Sequence, residues 1–200
     1  MIRLASLFAV AALLPALPAH ARLLDDQHEH DGFFLRFHLG GGSSEAKWKG
    51  GPTDLSMGGP ASNFSFSLGG SIATNLILFG ELTSVYGQNP DVIFEGERFR
   101  TENTTFSVAG FGPGLSYYFM PVNLYLSGSL LLMRAQTTGN GAIGETEQGL
   151  GFKVALGKEW WVSRDWGLGI AGFGTFANLP DHDADMSWTN FGLAFTATYN

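Results

Sequence analysis

The chain has 200 residues, with 18 acidic against 11 basic side chains and a formal net charge of -7, enough for one domain and unsuited to a nucleic-acid partner held by phosphate neutralisation. It contains no cysteine, which excludes a disulfide framework, thiolate zinc sites and thiol catalysis. Charged residues are 14% of the chain, against about 25% in ordinary soluble domains, too few to clothe a water-exposed surface easily. Arg3, the apolar run Leu4 to Leu17 and Ala19-His20-Ala21 predict a cleaved signal peptide over 1–21. That run is shorter than the roughly 17–25 residues of a spanning helix, and Pro15 and Pro18 interrupt it. Residues 22–31, with His28, His30 and three aspartates, read as a polar lead.

From Phe33 a period-two pattern begins. Phe33, Leu35, Phe37 and Leu39 share one face, and Phe34, Arg36, His38 and Gly40 the other. Phe64, Phe66, Leu68 and Ile72 alternate with Ser65, Ser67, Gly69 and Ser71. Leu76, Leu78, Leu82 and Tyr86 oppose Glu81 and Thr83. The glycine-rich stretch 105–119 ends in Leu115, Tyr117 and Phe119, and its phase is ambiguous around Pro113, which predicts a bulge or kink there. Leu124, Leu126, Leu130 and Leu132 oppose Tyr125, Ser127 and Ser129. Residues 150–161 set Leu150, Phe152, Val154, Leu156 and Trp160 against Lys153, Ala155 and Glu159. Trp166, Leu168 and Ile170 open the next run, and Phe191, Leu193, Phe195 and Tyr199 close the chain against Asn190, Ala194, Thr196 and Thr198. Strict alternation of this kind gives each strand one apolar and one polar face.

Eight strands are expected, each near ten residues, close to the roughly 9–11 of a tilted membrane crossing. Tight connections fall at Thr74-Asn75, Pro121-Val122-Asn123 and Ser163-Arg164-Asp165. Longer ones span 43–62, 87–103, 135–148 and 178–187. Short and long alternate without exception, the asymmetry of an outer-membrane barrel. Tyr117, Tyr118, Phe119, Trp160, Trp161, Trp166 and Tyr199 gather near the short turns, where an interfacial aromatic girdle is expected.

Alternation alone allows two barrels: a lipocalin-like soluble one with apolar residues inside, or a membrane one with them outside. The polar faces are mostly Ser, Thr, Gly and Ala, too bland for a surface in water. Their charges, Arg36, Glu81, Lys153 and Glu159, carry both signs. With His38 they are expected to form a polar network filling a narrow eight-stranded interior. On the lipid face each charge would cost roughly 2–4 kcal/mol. The membrane orientation is therefore favoured.

Asp31-Gly32-Phe33-Phe34, Gly80-Glu81-Leu82, Gly112 to Phe119 and the closing Phe191 to Tyr199 strand resemble the small eight-stranded outer-membrane barrels of the OmpA transmembrane-domain and opacity-protein type. The resemblance spans about 32–200. It implies an all-β, eight-stranded antiparallel up-and-down transmembrane barrel in a Gram-negative outer membrane. Its implied partners are outer-membrane lipid and lipopolysaccharide, the outer-membrane assembly machinery through the C-terminal strand, and an unidentified external ligand. Here Asn200 follows Tyr199 where that group ends on an aromatic. The tethering role of OmpA-type proteins with a second domain is not implied.

Catalysis by acyl transfer needs a nucleophile, a base and an orienting group within reach of one another. His38 is expected to point inward, where a serine or Glu81 can approach it, and a lone lumen histidine is more often packed filler. No cofactor or metal is expected. Asp181-His182-Asp183-Ala184-Asp185 has oxygen ligands suited to a divalent cation but no EF-hand spacing, and reads as a solvated loop. The expected function is a structural or surface-interaction barrel without catalysis. The alternatives are a narrow pore or small apolar-molecule transporter, a lipid-modifying enzyme, and a soluble secreted barrel.

Overall fold

The computed structural model describes residues 30, 32–49, 55–120, 122–139, 142–181 and 184–200. The expected signal peptide and nearly all of the polar lead, including His28, lie outside these residues, as do Pro121, Asn140-Gly141 and the His182-Asp183 centre of the acidic loop.

The alternating segments become β-strands, and the apolar residues of the expected lipid-facing sets, such as Leu39, Leu78, Leu130 and Leu193, all point to the outer side. In chain order the strands are β1 (Phe33–Lys49), β2 (Leu55–Ala73), β3 (Leu76–Gln88), β4 (Asp91–Phe94), β5 (Glu97–Arg100), β6 (Thr104–Phe119), β7 (Leu124–Gly139), β8 (Ala142–Glu145), β9 (Gly149–Trp161), β10 (Trp166–Asp181) and β11 (Ala184–Tyr199). The eight long strands pair antiparallel in the order β1-β11-β10-β9-β7-β6-β3-β2, and β1 pairs β2 to close the ring. Leu35 faces Tyr199 on one side and Leu68 on the other. Closure satisfies the backbone groups that an open sheet would leave at its edges.

Asparagines make two of the short turns. Asn75 sits at φ 62° and Asn123 at φ 51°, in the left-handed region that Asn tolerates better than most residues. In the third, Ser163 Oγ accepts the Trp166 N–H at 3.1 Å.

Three expectations are corrected. First, the long connections are largely sheet: β2 has 19 residues and β3 has 13, so the strands outrun a membrane crossing. Within 87–103, β4 takes over beside β2 beyond the end of β3 and pairs with β5. Within 135–148, β8 folds back on β7. Second, there is no bulge at Pro113. Gly80 pairs with Pro113, and the β6–β7 register is the same on both sides of it, Phe111 with Leu132 and Gly114 with Ser129. A proline lacks one ladder donor, but the flanking pairs hold the phase. Among the described residues the register shifts once, between Ser71 and Ala73. Third, the aromatic girdle is interrupted. Tyr117, Phe119, Trp160 and Trp166 point outward, while Tyr118 is fully buried in the lumen and Trp161 packs on the inner side against His30. Neighbours on a strand must face opposite ways, so consecutive aromatics cannot all join one belt.

The inner face holds two apolar clusters. Near the short turns are Phe34, Ile77, Phe79, Tyr118, Tyr125 and Phe173. Towards the hairpins are Val85, Phe106, Val108, Leu131, Met133, Leu179, Met186 and Trp188. The outer face is apolar as well: Leu39, Leu130, Leu150, Leu193 and Phe195 are 64–75% exposed. That distribution inverts the one expected of a barrel in water.

Candidate functional site

The lumen is the place where polar chemistry is concentrated. Arg36 is carried inward by β1 and is buried, and its Nε lies 3.5 Å from Glu159 Oε1 on β9. Thr198 Oγ1 donates to the same carboxylate oxygen at 2.6 Å and accepts from Arg36 Nε at 3.3 Å. Tyr118 accepts from Arg36 Nη2 and donates to Glu159 Oε2 at 3.1 Å. The guanidinium carbon stands 3.9 Å from the Tyr125 ring centroid, a cation–π arrangement. Five strands thus meet around one ion pair. Tyr118, Thr198 and Tyr125 are members that the sequence reading left out of the network, and Tyr118, a tyrosine beside a short turn, also fits an interfacial belt.

A second pair crosses the barrel further up. Lys153 on β9 donates to Glu81 on β3 and to Ser65 Oγ on β2, the latter at 2.6 Å. Ser129 on β7 donates to the other Glu81 oxygen, and Ser65 contacts Thr83 at 2.9 Å. Burying two charges costs several kcal/mol per ion. The cost is met only when pairing and hydrogen bonding are both complete, and both carboxylates here have hydroxyl donors as well as a cation.

His38 also points inward, but neither a serine nor Glu81 is the group that meets it. Its Nε2 lies 3.3 Å from Tyr125 Oη, and its Nδ1 has no hydrogen-bond partner. A histidine facing a phenol, with nothing orienting its other nitrogen, lacks the base–orienter contact of a nucleophilic triad. Among the described residues no group of three or more His, Cys, Asp or Glu side chains is placed to hold a metal ion.

Rings fill the space between the polar layers. Gly157 lies opposite Tyr125, and a Cβ there would stand 2.5 Å from that ring. His30 closes the short-turn end. Its ring stacks on Tyr118 with centroids 3.4 Å apart, and its Nε2 meets Asn123 Oδ1 at 2.9 Å. Its backbone exchanges hydrogen bonds with Asn75. The two turn asparagines thus also hold the residue that seals the mouth. Burial, the largest influence, pushes the His30 imidazole below its ordinary value, against the hydrogen bond it donates to Asn123. In a polar lead, nothing local marks this histidine as a plug.

At the opposite end, β4–β5 and β8 expose Phe94, Phe99 and Ile143, and Arg98 pairs with Asp91 at 3.4 Å.

No protein-family model matches the chain, and no curated protein does. Among solved structures it superposes on Neisserial surface protein A with a TM-score of 0.55 at 16% identity, covering 84% of this chain and 96% of that one. It also matches OprG of Pseudomonas aeruginosa (TM-score 0.46, 13% identity, 86% and 99% covered) and Ail of Yersinia pestis (0.42, 11%, 83% and 99%). The first of these carries the assignment, and at such identity it carries architecture alone. The chain has the closed eight-stranded fold of the small outer-membrane β-barrels.

Proposed function

We propose that this protein is an integral outer-membrane barrel without catalytic activity, exported through a signal peptide over 1–21 and serving as a structural or surface-interaction protein. The single observation that carries the reading is the pairing of an exposed apolar outer wall with a lumen crossed by two buried ion pairs. In water that wall would be an aggregation surface; in a bilayer it is the lipid contact. A closed barrel is one of the two structures that satisfy the backbone there. The filled lumen favours a support for external hairpins over an open pore. The β4–β5 hairpin, with Phe94, Phe99, Arg98 and Arg100, and β8, with Ile143, form the surface for an external ligand. The lipid and lipopolysaccharide around the wall, and the assembly machinery acting on β11, are its other partners.

The chain has no cysteine, so single-cysteine variants report topology directly. R98C is expected to react with a membrane-impermeant maleimide on intact cells, and T74C only after the outer membrane is permeabilised. The reverse pattern, or labelling of both sites in a soluble fraction, would overturn the reading.

A further inference from the structure

The outer wall has a break in its apolar relief. One cross-strand row reads Phe64, Ser84, Ala109, Arg134 over β2, β3, β6 and β7. The next row towards the short turns reads Phe66, Leu82, Phe111, Leu132. Two small side chains above a row of four large ones, with Phe64 on one flank and Arg134 on the other, leave a groove of about 350 Å³. Arg134 stands at its hairpin end, where the outward residues of β7 turn polar at Gln136 and Thr138.

The arginine is held without being used up. Arg134 Nη1 lies 3.5 Å from Glu145 Oε2, with the arginine side chain 55% exposed. Glu145 Oε1 separately accepts from Gln136 Nε2 at 2.7 Å. The guanidinium can therefore turn to another anion while Glu145 keeps a partner. Its planar fork matches the geometry of a phosphate.

We propose that this groove holds one anionic lipid, with an acyl chain along Leu82, Phe111 and Leu132 and its phosphate against Arg134. The proposal rests on the outer-membrane reading above and adds a defined lipid site to it. A second wall groove of about 410 Å³, lined by Leu150, Phe152, Phe176, Asn178 and Thr189, has no charged residue in its lining. It offers an acyl chain the same kind of shelter without a contact for the headgroup, so it serves as the internal control.

The test uses the full-length mature chain refolded in detergent, its folding confirmed by a heat-dependent gel shift. Native mass spectrometry then counts retained phosphatidylglycerol against phosphatidylcholine of identical chains. The wild type is expected to retain one phosphatidylglycerol with about fivefold preference, the upper value for an exposed charge pair. R134Q should bring the preference to unity. A109F, which fills the groove, should lower retention of both lipids at this site. E145Q should raise the preference, a gain that a merely structural Arg134–Glu145 pair would not produce. T189F, in the uncharged groove, should leave the preference unchanged. Equal phosphatidylglycerol retention in wild type, R134Q and A109F, in a protein that shows the gel shift, overturns the lipid site alone. A wild type with no gel shift that stays soluble without detergent overturns the outer-membrane reading and the site with it.

Discussion

Replacing Glu81 by methionine tests whether the lumen is dry. The substitution keeps length and volume but leaves the Lys153 ammonium, 3% exposed, with Ser65 as its remaining hydrogen-bond acceptor. It also strands the Ser129 hydroxyl that donates to Glu81. Breaking a buried pair by removing one partner costs about 3–5 kcal/mol, which is more than a hundredfold in the folded-to-unfolded ratio. Removing both charges is a different matter, since apolar replacement of a buried pair is often neutral or stabilising by about 1–4 kcal/mol. The double variant E81M/K153M is therefore expected to recover at least the stability lost by E81M. The assay is reversible urea unfolding from lipid vesicles, followed by fluorescence of the five tryptophans. A cost below about 1 kcal/mol for E81M, or a double variant as unstable as the single one, would refute the argument. Either result would mean that water solvates Lys153 and that the lumen is open.

Three further outcomes follow from the same geometry. Leu193, 74% exposed on β11, should tolerate arginine badly, losing roughly 2–4 kcal/mol in bilayer-based unfolding; a neutral effect would fit a soluble barrel instead. Gly157→Val forces a branched side chain into the Tyr125 ring and should cost about 1–3 kcal/mol as overpacking, whereas G59V, where a Cβ meets Pro90 Cα at an ordinary 3.7 Å, serves as the control in the same urea titration. The His30 closure should depend on pH. The ring is held below its ordinary value of 6.5, chiefly by burial, with Asn123, Asn200 and Glu159 opposing and Arg36 reinforcing the shift. The opened form therefore takes up a proton first, so the closure is intact above about 6.5 and weakens as pH falls below it. Hydrogen exchange at the Asn75 amide, which donates to the His30 carbonyl, should accelerate over that range beyond its intrinsic rate. H30N should abolish the dependence, and pH-independent protection in the wild type would contradict it.

The eight crossing strands were legible because each lies between two different media. Leu76, Leu78 and Leu82 on one face and Glu81 and Thr83 on the other leave no doubt about period or phase. The hairpin extensions were not legible for the converse reason. Ser43-Ser44-Glu45-Ala46-Lys47-Trp48 continues β1 with the same inward set, Ser44 and Ala46 buried. Its outer face meets water, however, so the apolar signal that marks a strand is gone. Pro113 invited a bulge on local grounds, but pairing with β3 and β7 on either side fixed its register. The charged lumen residues stood out as charges on otherwise bland faces. Their partners did not, since Tyr118 and Thr198 join Arg36 and Glu159 only after closure brings β6 and β11 to β1 and β9. His30 is the extreme case: its contacts come from two distant turns, at Asn75 and Asn123, and from Tyr118 near the end of β6.

The central claim, a membrane barrel with lipid outside and ion pairs inside, is tested most directly by fractionating the membranes of expressing cells and running the outer-membrane fraction on a gel with and without boiling. The account predicts recovery in that fraction and a faster-running unboiled band, the mark of a closed barrel that resists detergent. Recovery in the soluble fraction with no shift on boiling would contradict it and would turn the apolar faces inward around a ligand.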